Sequence, residues 1–327
     1  FIGSNFIIKL LQKENDFEII NIDAKLFGSN LHNLDEIKNS DRYEFVSGNI
    51  TNKNLMNELV SKCDSVVNFA AETFVDRSIK DANPFLVSNI RGAFTLMDIT
   101  TKQNKRFVQV STDEVFGSLE STTATEDSKF NPSSPYAATK AAAELLANSY
   151  SITYGSDIII TRCSNNFGPR QFPEKLIPMT ICNLLNEKDV PIYGDGKQIR
   201  DWLHVFDHCE ALKIILKNPK YGEFYNIGAS NEIQNLEVVR MICSVLDTRK
   251  PRSDSVKYED LISFVEDRLG HDRRYSIDSS KIKLELGWEP SKSFRAGIEE
   301  TVQWYLDNLE WVKNCLLYTS PSPRDRG

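Results

Sequence analysis

Two short strings hold residue types that could do chemistry together. The first is STDEVFG, Ser111 to Gly117, directly after the β-branched run RFVQV. It offers one hydroxyl, Thr112, and two adjacent carboxyl groups, Asp113 and Glu114. Such a pair can supply both acid and base if its surroundings separate the two pKa values. The second is YAATK, Tyr136 to Lys140, opening the stretch PYAATKAAAELLANSY. A spacing of four puts phenol and amine on one helical face. An ammonium beside a phenol favours the phenolate, so Lys140 is expected to lower the pKa of Tyr136 and let it act as a base near neutral pH. Such a base can take the proton of a sugar hydroxyl while hydride leaves for NAD⁺. Each string alone also suits a solvated turn or an exposed helix pair. Their conjunction is the sharper reading.

Residues at the C-terminal ends of parallel strands face the ligand crevice of a doubly wound sheet. The chain has the elements for one. Short strand-like runs at 18–22, 43–46, 65–69, 106–110 and 157–161 alternate with helical patterns at 54–62, 84–102 and 135–154. This predicts an α/β, Rossmann-like fold with a parallel sheet covered on both faces. Strand-like runs continue at 190–193 and 223–227, and helical ones at 236–246 and 295–309. After about Phe167 the alternation loosens. The reading is an NAD-binding domain over 1–167 and a smaller, mainly substrate-binding lobe over 168–314. The segment 315–327, CLLYTSPSPRDRG, is expected to be a non-native tail.

The opening FIGSN looks like the end of a glycine-rich turn where a strand passes into a helix and pyrophosphate meets free N–H groups. Only Gly3 of that turn is present, so the preceding strand and the first glycines are expected to lie outside this sequence. Asp23 follows the strand EIINI, about 20 residues on, where a dinucleotide fold places the acid that binds the adenosine ribose. An acid there favours NAD, since it would repel a 2′-phosphate. The alternative is a loop aspartate capping a turn.

Composition narrows the partners. Of 327 residues, 40% are hydrophobic and 26% charged, which excludes wholesale disorder. Lys+Arg 39 against Asp+Glu 46 leaves a net charge of −7. That argues against nucleic acid as a partner, which needs a basic face. No apolar run is long enough to span a membrane. The six cysteines form no CxxC pair, so structural zinc is not expected, and a reducing, cytoplasmic setting is.

The strings FIGSNF, NFAAETFVDRSI, STDEVFG, SPYAATKAAAE, TRCSNNFGPRQFPEKLIP, PIYGDGKQIRDWLHV, FYNIGASNE and DRLGHDRRYSID together resemble the dTDP-glucose 4,6-dehydratases of the extended short-chain dehydrogenase/reductase family. The resemblance runs to about Val312 and implies a homodimer that uses NAD on a nucleotide-sugar substrate. It implies that Tyr136 and Lys140 serve oxidation at C4, that Glu114 removes the C5 proton, that Asp113 protonates the departing C6 hydroxyl, and that Thr112 holds the C4 oxygen. On the cofactor side it implies Phe1, Ile2 and Gly3 at the pyrophosphate, Asp23, Ala24, Lys25 and Leu26 along the adenosine, and Asn49 and Ile50 at adenine. There the family usually has Asp-Ile. Ala70, Ala71, Glu72, Ser88 and Asn166 complete that set. On the substrate side it implies Phe74, where the family has His, and Asn165. Lys175, Leu176, Arg200 and Asn231 would meet the diphosphate, and Pro191, Ile192 and Tyr193 the base. Asp267, Arg268, Leu269, Gly270 and His271 stand for the family's DRPGH.

A UDP-glucose 4,6-dehydratase and a nucleotide-sugar C4 epimerase are the alternatives. An epimerase oxidises C4 but needs no acid and base to expel water, so the Asp113–Glu114 pair separates the two. The 327-residue chain by itself is expected to be of low stability and to hold NAD weakly. Stoichiometric NAD on the purified chain would overturn that expectation.

Overall fold

The computed structural model describes residues 1–218 and 220–319. The first half contains α1 (Ile2–Lys13), β1 (Ile19–Asp23), β2 (Tyr43–Ser47), α2 (Lys53–Ser61), β3 (Ser65–Asn68) and α3 (Val75–Lys80). One long helical stretch follows. It starts as α4 (Asn83–Phe85), widens into a π-type segment (Leu86–Gly92) and ends as α5 (Ala93–Lys102). Then come β4 (Arg106–Thr112), α6 (Pro135–Tyr154) and β5 (Ile158–Cys163). Every strand and helix expected here is found, with ends shifted by one or two residues. The π-type widening within 84–102 is the exception. It was not legible because apolar spacing does not distinguish it from regular helix.

The second half contains β6 (Asn165–Phe167), α7 (Leu176–Leu185), β7 (Val190–Tyr193), β8 (Ile199–His204), α8 (Val205–Lys217), β9 (Phe224–Ile227), β10 (Glu232–Gln234), α9 (Asn235–Arg249), β11 (Ile262–Val265), α10 (Ser280–Leu286), α11 (Phe294–Asp307) and α12 (Leu309–Thr319). Several of these escaped the sequence reading. β6 and β10 have three residues each, and in β6 and the longer β8 Asn165, Arg200, Asp201 and His204 interrupt any apolar alternation. Part of the expected tail is ordered, because α12 runs to Thr319 and Cys315 is buried, its thiol accepting from Asn30 Nδ2 at 3.1 Å. Residues 320–327 lie outside the described residues.

The main sheet is parallel, in the order β3-β4-β5-β9, and β1 pairs in parallel with β2. Both groups share the same two covering layers. On one face Ile19, Val67, Val108, Val110, Ile159 and Ile227 pack with α1 and α8. On the other, Ile20, Ile22, Val66, Phe107, Ile158 and Ile160 meet α2, α5 and α6. Neighbouring residues of β4 and β5 thus go to opposite faces, as a pleat requires. Among the described residues β1 and β3 do not pair with each other. A separate core around Phe167, Ile181, Trp202, Ile242 and Tyr305 holds α7, α9 and α11 together. Sequence order and spatial order part company at β9 and α8, which follow Phe167 yet complete the main sheet and its cover.

α6 carries the Tyr136–Lys140 pair, and its ends are well marked. Ser134 Oγ accepts from Ala137 N at 3.1 Å, Pro135 opens the first turn, and Gly155 closes the helix in the left-handed region. Alanines at 137, 141, 143 and 147 are buried and let the helix lie close to the sheet. β5 lies directly under it. Ile159→Ala, at a fully buried position of β5, is expected to cost ~2–5 kcal/mol. Urea unfolding would measure it, and a loss well under ~1 kcal/mol would contradict this placement of the core.

Candidate active site

The two carboxyl groups stand where β4 ends. Thr112 is its last residue, and Asp113–Phe116 turn away as one 3₁₀ turn. Thr112 Oγ1 accepts from Glu114 N at 3.3 Å and donates to Asp113 Oδ1 at 3.1 Å. Gly117 leaves the turn with a φ of +69°, and a side chain there would collide with the Asn131 carbonyl. The backbone therefore places both acids at the C-terminal end of β4, the ligand side of a parallel sheet. Asp113 is 3% exposed, and its Oδ2 has no hydrogen-bond partner. Burial, then Glu114 and Asp201, push its pKa well above the usual carboxylate range. Burial raises Glu114 too, but Lys175, Arg268 and Arg200 oppose that rise. The surroundings thus favour a protonated Asp113 and a more acidic Glu114.

Tyr136 is 7% exposed, its ring edge-on to Phe85 and its backbone N–H held by Ser78 Oγ at 3.2 Å. Its pKa lies well above that of an ordinary phenol, through burial first and then the charges of Glu114 and Cys163, against the Thr112 hydroxyl. This corrects the expectation that Lys140 would lower it. Lys140 is buried and donates through Nζ to the Val110 carbonyl at 2.7 Å. Burial lowers its own pKa to about 8, with Glu144 the first group to oppose that. Spacing puts the pair on one face, but it does not determine where a flexible amine points. The sequence reading also missed Cys163. Its thiol, pushed up to about 12 by burial and then by Asp113, against Lys140, lies beside the cluster and donates to the Ser111 carbonyl at 3.4 Å.

A cationic arm from the second half closes the site. Lys175 donates to the Thr73 carbonyl at 2.8 Å and lies 4.6 Å from the Phe74 ring centre. Arg200, 5% exposed, donates to the Asp272 carbonyl at 2.9 Å and stacks 4.2 Å above Tyr275. Arg268 is paired at long range with Asp76. All three bear on Glu114. Asn165 Oδ1 is buried with no partner. Asn166 Oδ1 accepts from His208 Nδ1 at 2.9 Å, and burial keeps that histidine neutral, its pKa near 3. Asp267 accepts from His271 Nδ1 at 2.6 Å, and His271 meets Tyr193 edge-on. Gly270 has a positive φ, while Leu269 projects into solvent at 77% exposure, leaving its side chain no role in the crevice.

Several implied contacts are constrained by packing. Asp23 ends β1, and its Oδ1 accepts from Lys25 N at 2.6 Å, so it caps a turn as well as facing the crevice side of the sheet. Ala24 continues that turn, and Leu26 is exposed. Asn49 holds Thr51 through two hydrogen bonds, from its N–H at 2.9 Å and its hydroxyl at 2.8 Å. Ile50 is buried against Met56 and Ala93, so its side chain is spent on the core. Ile192 and Leu176 likewise join the second core, leaving Pro191 and Tyr193 as the outward members of β7. A strand's alternation forbids all three of Pro191, Ile192 and Tyr193 from facing one ligand. Asn231 is tied through its backbone, its N–H donating to Asp201 Oδ1 at 2.7 Å. Phe1 and Ile2 start α1 and pack, with Phe69, onto the core beneath the sheet edge. Gly3 lies so near Phe69 that a side chain would crowd its ring. Ala70 N donates to Asn68 Oδ1 at 3.1 Å, and Ala71 lies in the same loop. Ser88 sits half-buried in the π-type segment. Phe74 packs against Phe27 and Phe172 instead of offering the polar contact of a histidine.

Asn89, one residue beyond Ser88, was missed. Its Oδ1 accepts from Glu72 N at 2.8 Å, and its Nδ2 donates to the Glu72 carbonyl at 3.0 Å and to Thr139 Oγ1 at 2.9 Å. It ties the loop after β3 to the helix of Tyr136. Buried inside an apolar helical run, it gave the sequence reading no signal.

A doubly wound sheet with a buried Tyr-x-x-x-Lys helix at its C-terminal edge defines an extended short-chain dehydrogenase/reductase. Within that class the chain belongs to the GDP-mannose 4,6 dehydratase family, whose sequence profile matches residues 1–301. It is 44% identical to a dTDP-glucose 4,6-dehydratase of Xanthomonas campestris pv. campestris, over 97% of this chain and 93% of that one. It is 45% identical to one from an Actinoplanes species, over 95% and 96%. The crystal structure of DesIV, a dTDP-glucose 4,6-dehydratase of Streptomyces venezuelae with NAD bound, superposes with a TM-score of 0.90 at 41% identity, covering 96% of this chain and 97% of that chain.

Asn89→Ala strands buried groups of the loop and of α6. It is expected to lower unfolding stability by ~1–3 kcal/mol. Thermal melting would show it, and an unchanged midpoint would remove Asn89 from this bridging role.

Proposed function

We propose that this protein dehydrates dTDP-glucose to dTDP-4-keto-6-deoxyglucose, as a lyase that uses NAD. The observation carrying this reading is the placement of a buried acid, Asp113, beside a half-buried one, Glu114, in unequal surroundings near Tyr136. The relatives named dTDP-glucose 4,6-dehydratase support it.

The residues fit the cofactor. Asp23 stands at the end of β1, α1 begins directly after Phe1, and Asn166 is fixed in place by its bond to His208. Asp23 would hold the ribose, residues 1–3 the pyrophosphate, and Glu72, Ser88 and Asn166 the nicotinamide end. Bound NAD would supply the hydride acceptor for oxidation at C4 and the hydride donor for reduction at C6. Everything else falls to side chains. Tyr136 takes the proton of the 4-hydroxyl, and Thr112 holds the oxygen as it becomes a carbonyl. Burial opposes the phenolate, so Lys140 must bring its charge from the Val110 carbonyl towards the phenol. The new carbonyl acidifies C5. Glu114 removes that proton, while Asp113, kept protonated by its surroundings, gives its own to the departing 6-hydroxyl. Lys175, Arg200 and Arg268 meet the diphosphate, for which guanidinium forks are suited.

This assigns cofactor binding mainly to 1–167 and nucleotide-sugar binding to the remainder, with β9 and α8 as support. A homodimer is the favoured assembly. Phe94, Leu145, Ile152 and Tyr154 are exposed on α5 and α6, and Phe94, Tyr150 and Tyr154 form a continuous aromatic row. Such an apolar patch suits a subunit contact. Among the described residues no helix is long and apolar enough to cross a membrane, and all six cysteines are free thiols, which suits the cytoplasm.

Incubation with dTDP-glucose and with UDP-glucose, followed by mass analysis, tests the function. Loss of one water from the dTDP-sugar is expected, and an isomer of unchanged mass would sink the reading. Tyr136→Phe should abolish the oxidation. Glu114→Gln should still oxidise C4 but fail to exchange the C5 hydrogen with solvent; full exchange would take the base role from Glu114. Because Lys140 loses its proton near pH 8, kcat/KM should fall above that pH. Lys140→Arg, whose charge persists, should retain no limb there.

A further inference from the structure

The functional stripe of α6 does not end at Lys140. One turn further on the same face stands Glu144, its side chain wholly out of solvent. Its Oε2 accepts from Arg162 Nε, on β5, at 2.8 Å. The Arg162 side chain is only 3% exposed. Its guanidinium lies 4.9, 5.3 and 5.1 Å from the ring centres of Phe116, Phe130 and Phe224, and Nη1 donates to the Glu126 carbonyl at 2.9 Å. The Ser111 hydroxyl also stabilises the carboxylate, although Glu144 Oε1 and Ser111 Oγ each lack a hydrogen bond of full geometry.

A buried ion pair is a poor device for stability alone, since well-packed apolar residues commonly do as well. This one lies between the main sheet and the helix that holds the proton-transfer pair. Burial raises the pKa of its carboxyl group, and Arg162, bonded to it, and Lys140, one helical turn before it, oppose that rise. Remove that anion, and Lys140 keeps its burial with only the Val110 carbonyl and the weaker influence of Cys163 to favour the charged form. Its other titrating neighbours would not replace Glu144. Tyr136 and Cys163 are neutral at ordinary pH, and Asp113 and Glu114 lie towards the substrate side. From α3 and the π-type segment, the neutral side chains of Ser78 and Asn89 bond to α6, while the charged Asp76, Arg77, Lys80 and Arg91 are exposed.

We propose that Glu144 is a positioning residue for Lys140: gripped by Arg162 within a cage of three phenylalanines, it places a fixed negative charge one helical turn beyond the amine and keeps that amine an ammonium. The effect on the lysine is in the required sense, Glu144 being first among the groups that resist loss of its proton. The proposal rests on Lys140 serving the proton transfer at Tyr136. It makes the string YxxxKxxxE, rather than YxxxK, the working unit of α6.

The test is the titration of Lys140 in the whole chain, followed by the carbon-13 NMR shift of its Cε and assigned by its loss in Lys140→Arg. The native midpoint should lie near 8. Glu144→Gln should lower it by about one unit or more, whereas Glu144→Asp, which keeps the anion, should hold it within about half a unit. The alkaline limb of kcat/KM should move with it. A merely structural glutamate would leave the midpoint in place while activity fell at every pH, and an unmoved midpoint in Glu144→Gln overturns the proposal. Should that variant not fold, the carboxyl carbon of Glu144 in the native chain decides. Ionised at neutral pH, it supports the role; protonated, it ends it. These titrations need no sugar nucleotide. A chain with the expected midpoints that does not dehydrate would therefore refute the proposed reaction and leave this inference standing.

Discussion

Desolvation at the C-terminal edge of the parallel sheet is the constraint on which the site depends. Asp113, Glu114, Tyr136 and Lys140 are brought there together, and burial is the leading influence on every one of their pKa values. In water these groups would be two carboxylates, a phenol and an ammonium, each indifferent to its neighbours. Once out of water, each charge depends on its partners. Asp113, with an unpaired oxygen and two carboxylates nearby, is pushed to the neutral acid. Glu114 faces three cations and is restrained from going as far. Two acids adjacent in sequence thus acquire different chemistry from the two sides of the crevice they face.

That difference is produced jointly by both halves of the chain. β4 supplies the acids and α6 the phenol and amine. The cations that distinguish Glu114 come from Lys175, Arg200 and Arg268, far along the sequence. Asp201, on β8, adds to the pressure on Asp113 while its own carboxylate accepts the N–H groups of Ala229 and Asn231. The second half therefore acts on the groups proposed to divide the acid and base roles, through the charges of Lys175, Arg200, Arg268 and Asp201. β9 and α8 bind the halves mechanically, since they complete the main sheet from beyond its nominal boundary.

Legibility followed the physics of each element. β4, β5 and α6 were read almost to the residue, because β-branched runs and a Ser-Pro start are local signals. β6, β8 and β10 were not, because polar residues that serve the site or the turns around it break the apolar alternation. The same conflict explains the site roles that packing constrains. Ile50 and Ile192 stand at positions the resemblance assigns to ligands, yet their side chains go to the core, because a helix contact or a pleat claims them. Leu269, also within a matching string, is left in solvent.

The sequence by itself determined which groups are present and at what spacing: a Thr-Asp-Glu turn after a strand, Tyr and Lys four apart on a helix, and a chain able to form a covered parallel sheet. Those are properties of local periodicity and residue type, so they survive without coordinates. Only the tertiary structure decided what the groups are at neutral pH. It turned Lys140 to the Val110 carbonyl, raised Tyr136 where spacing alone implied the reverse, and set Glu144 and Arg162 behind the lysine. Protonation depends on burial and on charges brought from distant segments, and neither is written in the order of neighbouring residues.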